Sequence, residues 1–160
     1  MPAASALVAL ADSTVRYSVA VVPLAYGLAM LSVILACDDP YRTADLFVTQ
    51  LGWRLVFATP ANSDDRLACV ELGDAQVMLG TAEDRFLPGP ARPYRGAGVE
   101  VYIRLPESIQ IEEVHRRHAA ARIVTNPLAR REWGESAFQF EADGYRFLIA
   151  QADAATAAQG

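Results

Sequence analysis

The chain has 160 residues, 52% of them hydrophobic, which suits one domain with a full core and leaves little room for a second. The formal charge is −5 and no basic run appears, so neither nucleic acid nor an anionic membrane surface is expected as a partner. Cys37 and Cys69 lie in apolar strand-like runs outside any C-x-x-C pair, which predicts reduced core thiols in a cytoplasmic protein.

Residues 1–29 are expected to be a disordered extension, or the product of an upstream start, because the segment from Met30 to 151 makes sense as a complete domain. The uncharged run 18–36 (SVAVVPLAYGLAMLSVILA) has the length of a membrane helix and is an alternative. Against it, Pro23 and Gly27 interrupt the run, Arg16 is the one basic residue before it, and its last third has strand composition. A secretory signal fits poorly for want of a basic segment ahead of the apolar one.

In chain order, residues 31–37 (LSVILAC) read as a strand closed by Asp38, Asp39 and Pro40. A capping carboxylate followed by proline starts a helix over 41–51, with Ala44, Phe47, Val48 and Leu51 on one stripe and Gly52 at its end. Strands follow at 53–59, 66–71 and 75–80, the last two joined by the Gly73–Asp74 turn. Residues 81–98, rich in proline and glycine, form a linker. The same order then returns: a strand at 99–105, an amphipathic helix over 107–121, a strand at 122–125 closed by Pro127, and a hairpin of 136–140 with 145–151 across Asp143–Gly144. Residues 152–160 are expected to be a disordered tail.

The two halves correspond residue by residue. Arg54, Leu55 and Val56 lie 68 positions before Arg122, Ile123 and Val124, and Val77, Met78 and Leu79 lie 70 before Phe147, Leu148 and Ile149. Each half reads strand, helix, strand, strand, strand, and so leaves one sheet face bare unless its fellow covers it. The expectation is an α+β fold of two βαβββ modules forming a curved mixed sheet around a cleft.

Residues 39–52 (DPYRTADLFVTQLG), with Trp133–Gly134 and the triplet Asp143, Gly144 and Tyr145, resemble the vicinal oxygen chelate superfamily of glyoxalases, bleomycin-resistance proteins and dioxygenases. The resemblance spans residues 30–151 and implies the paired-module fold. In catalytic members, His and Glu side chains on four inward strand positions hold a divalent metal, which needs several converging ligands with sites left open. Those positions carry Ser32, Met78, Glu100 and Leu148 here, and one carboxylate does not hold such a metal alone. No metal and no cofactor is expected. His115 and His118 are read as part of a solvated helix face with His118 partly tucked in, and no nucleophile has a base beside it in sequence.

Strand alternation names the side chains that would face the cleft: Ser32, Met78, Glu100, Tyr102, Gln139 and Leu148, with Trp133 as a stacking wall and Trp53 and Phe57 as further candidates. Apolar contacts with a few orienting polar groups make the usual small-molecule site. Within the family, similarity is to the metal-free, bleomycin-resistance-like branch. That resemblance implies a homodimer that sequesters an antibiotic-like or aromatic ligand in clefts between subunits. Three other readings remain open: a glyoxalase- or dioxygenase-like enzyme with Glu100 as general base or a non-standard metal site, a structural dimer with a filled cleft, and a membrane-tethered form.

Overall fold

A computed structural model describes residues 32–153 and, as backbone alone, two three-residue strands, β1 (Ala6–Val8) and β2 (Tyr17–Val19), which pair antiparallel. The rest of the expected extension 1–29, and most of the expected tail, lie outside the described residues. No helix among the described residues is long and apolar enough to cross a membrane.

The first half contains β3 (Val33–Cys37), α1 (Pro40–Asp45), β4 (Arg54–Ala58), β5 (Leu67–Leu72) and β6 (Ala75–Thr81). The second contains β7 (Glu100–Arg104), α2 (Ile111–Ala120), β8 (Val124–Arg130), β9 (Glu135–Ala142) and β10 (Tyr145–Ala152). Their sheets have matching orders, β3-β6-β5-β4 and β7-β10-β9-β8. In each, the first strand runs parallel to the last and the other neighbours are antiparallel. The fold is α+β, two βαβββ modules as the repeat implies. Its strands form two four-stranded sheets that are not closed on one another.

Asp39 begins α1 as expected: its Oδ1 accepts from the backbone N–H groups of Tyr41 and Arg42 at 3.1 and 3.3 Å, and Pro40 opens the first turn. The chain then continues as a π-helical turn, Leu46–Gln50, which rotates Phe47 and Leu51 into the core. Asp39→Ala removes both cap bonds and the 3.1 Å pair with Arg66, and is expected to cost about 1 kcal/mol in urea denaturation. Asp39→Asn, which keeps the cap, is expected to recover most of that loss.

Alternate strand residues bury one face of each sheet: Leu35, Cys37, Val70, Val77 and Leu79 in the first, Ile103, Phe138, Phe140, Phe147 and Ile149 in the second. Both faces pack into one core with the helices. Phe140 and Phe147 stack with centroids 4.7 Å apart, and Phe47 and Trp53 from the first half meet Phe147 edge-on at 5.7 and 6.4 Å. Trp53 Nε1 donates to His118 Nε2 at 3.3 Å, and His118 Nδ1 donates to the Val114 carbonyl at 2.7 Å. His118 is therefore fully buried in the seam, not on a solvated helix face. Both cysteines are free and buried, Cys37 in the shared core and Cys69 on the opposite face of its sheet.

The end of one strand and the start of one helix differ from the sequence reading. Pro127 does not close β8, because β8 is an edge strand whose register shifts between Asn126 and Ala129, a place where a missing N–H is harmless. The helix expected over 107–121 begins at Ile111. At the end of the seam, the Asp143–Gly144 turn holds both residues at positive φ, 49° and 80°. The Asp143 carboxylate accepts from Thr43 Oγ1 at 3.1 Å and from Arg95 at 3.2 Å, and Arg95 also pairs with Asp38 at 2.6 Å. Turn, linker and first helix are thereby tied together.

Candidate functional site

Because the inner faces share a core, the outer face of each sheet is left open, and the seven predicted site residues divide between the two. Glu100, Tyr102, Gln139 and Leu148 share the outer face of the second sheet: Leu148 pairs in register with both Tyr102 and Gln139, and Glu100 with Arg146. Trp133, just before β9, joins them through Glu135. Met78 belongs to the outer face of the first sheet and Ser32 precedes its first strand. The structure thus brings five of the residues together and leaves Ser32 and Met78 on the other module.

The outer face of the first sheet carries an apolar row, beside which Arg54, Glu71 and Gln76 are hydrogen-bonded to one another. Ile34, Met78, Cys69 and Phe57 form one row across its four strands, in the register Ile34–Met78, Met78–Cys69 and Cys69–Phe57. Phe57 is on this face because a bulge between Leu55 and Phe57 reverses the alternation. Trp53, expected beside it, is instead buried in the core, since it stands before the bulge and keeps the parity of Leu55.

The outer face of the second sheet is a hydrogen-bonded network. Gln139 Nε2 donates to Glu100 Oε1 at 2.7 Å, and Asn126 donates to Gln139 Oε1 at 3.3 Å. The Tyr102 hydroxyl donates to the Glu135 carboxylate at 2.9 Å, as does Trp133 Nε1, and Arg104 pairs with the same carboxylate at 3.1 Å. Burial, with the neighbouring Glu135 charge, pushes the Tyr102 phenol above its ordinary pKa, so it stays protonated as a donor. Trp133 and Tyr102 are 61% and 50% exposed, and Glu135 only 8%. Glu135 was not a sequence candidate. Its strand starts one residue earlier than alternation suggested, which moves it from the loop onto the outer face, opposite Ala152.

The four positions at which catalytic relatives of the resembled family hold a metal carry a hydroxyl, a thioether, a carboxylate and an alkyl group, spread over two sheets. That donor set does not fit a hard or borderline divalent ion. Among the described residues no group of three or more His, Cys, Asp or Glu side chains is placed to hold one. Nor does Met78 enclose Glu100, which is exposed on the other module; the apolar setting expected for a general base is not formed within one chain.

Two concavities lie apart from the predicted site residues. One of about 400 Å³ at the seam is walled by Arg54, Glu71, Glu113 and Arg117, and one of about 510 Å³ beside α1 by Asp38, Asp39 and Asp143. Their charged groups are engaged with protein partners, Arg54 with Glu71, Glu113 with Arg117, and Asp38 and Asp143 with Arg95. Neither is lined by a predicted site residue.

No family model matches the sequence, and a search of curated proteins finds no match. Among solved structures, the fold is similar to that of TioX from Micromonospora sp. ML1, 23% identical with a TM-score of 0.59 over 78% of this chain and 97% of that one. It is similar to a glyoxalase/bleomycin resistance protein/dioxygenase superfamily member from Sphaerobacter thermophilus DSM 20745, 20% identical, TM-score 0.57, covering 78% and 98% of the two chains. It is also similar to the bleomycin-binding protein of bleomycin-producing Streptomyces verticillus, solved with copper(II)-bleomycin, at 14% identity, TM-score 0.52 and coverage of 79% and 98%. At these identities the likeness shows the fold alone, the pair of βαβββ modules described above.

Proposed function

We propose that the chain is a metal-independent binding protein that sequesters a small, partly aromatic ligand of the antibiotic type. One observation carries this reading: Trp133, Tyr102, Leu148, Gln139 and Glu100 stand together on an open sheet face, two large rings more than or about half exposed beside a fixed set of polar groups. Exposed aromatics held among orienting hydrogen bonds suit recognition of a flat molecule, with Glu100 offering charge to a cationic one. The fold shared with a bleomycin-binding protein supports the same reading. Ser32, Ile34 and Met78 join the site in a homodimer, where the apolar row of one copy covers the polar face of its partner. The protein works in the cytoplasm and takes no cofactor in this reading.

The test is a thermal-shift screen of the full chain against divalent metals, planar antibiotics and aromatic metabolites, with and without EDTA. A ligand at 100 times its dissociation constant adds about 2.7 kcal/mol to the folded state. Stabilisation by an aromatic compound, unaffected by EDTA and weakened about tenfold in affinity by Trp133→Ala, is the expected result. Stabilisation by a metal that EDTA reverses would sink the proposal.

A further inference from the structure

We propose that Glu135 is a positioning residue: it fixes the Trp133 and Tyr102 rings on the open face of the second sheet, so that the ligand stacked there is a planar ring system. The inference rests on the binding reading above and narrows its ligand class.

Glu135 is nearly buried, and a buried carboxylate is tolerated only when its oxygens are occupied. Oε1 accepts from the Tyr102 hydroxyl at 2.9 Å and faces Arg104 Nε at 3.1 Å, while Oε2 accepts from Trp133 Nε1 and from the Tyr102 hydroxyl, both at 2.9 Å. An ion pair with Arg104 alone would have satisfied the charge. Instead, the carboxylate also accepts the two ring donors, the Tyr102 hydroxyl shared between its oxygens and the Trp133 N–H on Oε2.

Tyr102 must reach across β10 to do this, since β10 lies between β7 and β9. The positions it crosses are small: Ala150 pairs with Arg104 on one side and Ala137 on the other, and both alanines are 0% exposed on this outward face. A larger side chain at either would lift the phenol off the carboxylate.

The rings are thus held before any ligand arrives, although their faces stay in solvent. Ordering a free side chain on binding weakens affinity, so a pre-fixed pair binds a flat partner more tightly than a mobile pair. Arg104 neutralises Glu135, so a cationic ring system would meet the exposed carboxylates of this face, Glu100 and Glu141, which flank Arg146 in register.

The test combines time-resolved fluorescence anisotropy with titration of acridine orange, a planar cationic dye, on the full chain. Glu135→Gln keeps the shape but presents a donor to a cluster of donors. The exposed, red-shifted Trp133 emission is expected to gain a fast local motion, while the buried Trp53 component stays unchanged and reports an intact core. Dye affinity is expected to fall about tenfold. In a Tyr102→Phe, Trp133→Ala background the same substitution should change affinity less than about twofold, because the groups it acts through are gone. An undiminished tenfold loss there would mean that Glu135 meets the dye directly, and would overturn the proposal, as would unchanged Trp133 motion. Should Glu135→Gln fail to fold, Tyr102→Phe with Trp133→Phe keeps two rings and cuts their bonds to Glu135. A loss of about tenfold supports positioning and no loss refutes it. Absence of dye binding by the wild-type chain would defeat the ligand class and the binding reading, while the anisotropy still decides whether Glu135 holds the rings.

Discussion

Phe147→Ala is expected to lower the unfolding free energy by about 3–5 kcal/mol, a large part of what a domain of this size possesses. The ring is 0% exposed, stacks on Phe140 with planes 4° apart, and receives the edges of Phe47 and Trp53 from the other half. Truncation opens a cavity where neither module can close it alone, because its lining belongs to both. Urea denaturation followed by tryptophan emission should show a lower midpoint with an unchanged slope and a single transition. Two separated transitions, or a loss below about 1 kcal/mol, would contradict a core shared between the halves.

The second large effect is a dependence on acid. Burial is the main cause that lowers the His118 pKa from 6.5 to about 4, with the nearby His115 charge adding to it and the bond to the Val114 carbonyl opposing it. A base with a depressed folded pKa binds protons more readily when unfolded. Its contribution is intact above pH 6.5 and is lost as the pH falls toward 4, by roughly 3 kcal/mol in all. The urea midpoint of the wild-type chain should therefore drop steeply between pH 6.5 and 4, and that of His118→Gln, less stable at neutral pH, should be flatter. Glu113, paired with Arg116 and Arg117 on the exposed side of α2, is held down to about 2 and so titrates below this window. Parallel curves for the two proteins would rule out His118 as the cause.

The architecture was legible because duplication wrote it twice. Val77 and Phe147, 70 positions apart, both face the core, and their followers Met78 and Leu148 both face outward. What period-two alternation cannot carry is which outer faces oppose each other, since that depends on how the modules pack. Hence Ser32 and Met78 were grouped with Glu100 although they belong to the other module. The bulge after Leu55 hid the burial of Trp53 for a related reason: one extra residue inverts every later parity and leaves no mark in composition. Glu135 was missed by a single position at a strand start, where boundaries are least certain. His118 was assigned to a solvated face from its charged neighbours, while its partner, Trp53, lies 65 residues away in the chain.

The strict separation of inner and outer residues also shapes what variation this fold tolerates. Each copy of the duplicated unit must keep large apolar groups on its inner face, because either half's failure empties the other's packing. The outer faces carry no such mutual obligation, and they differ between the halves: an apolar row of Ile34, Met78, Cys69 and Phe57 in one, Glu100, Tyr102, Gln139 and Glu135 in the other. A library randomised at outward positions such as Ile34, Tyr102 and Gln139 should therefore keep its folded fraction high while its recognition properties change. The burden of stability and the adjustable burden of specificity sit on opposite sides of the same strands, one residue apart.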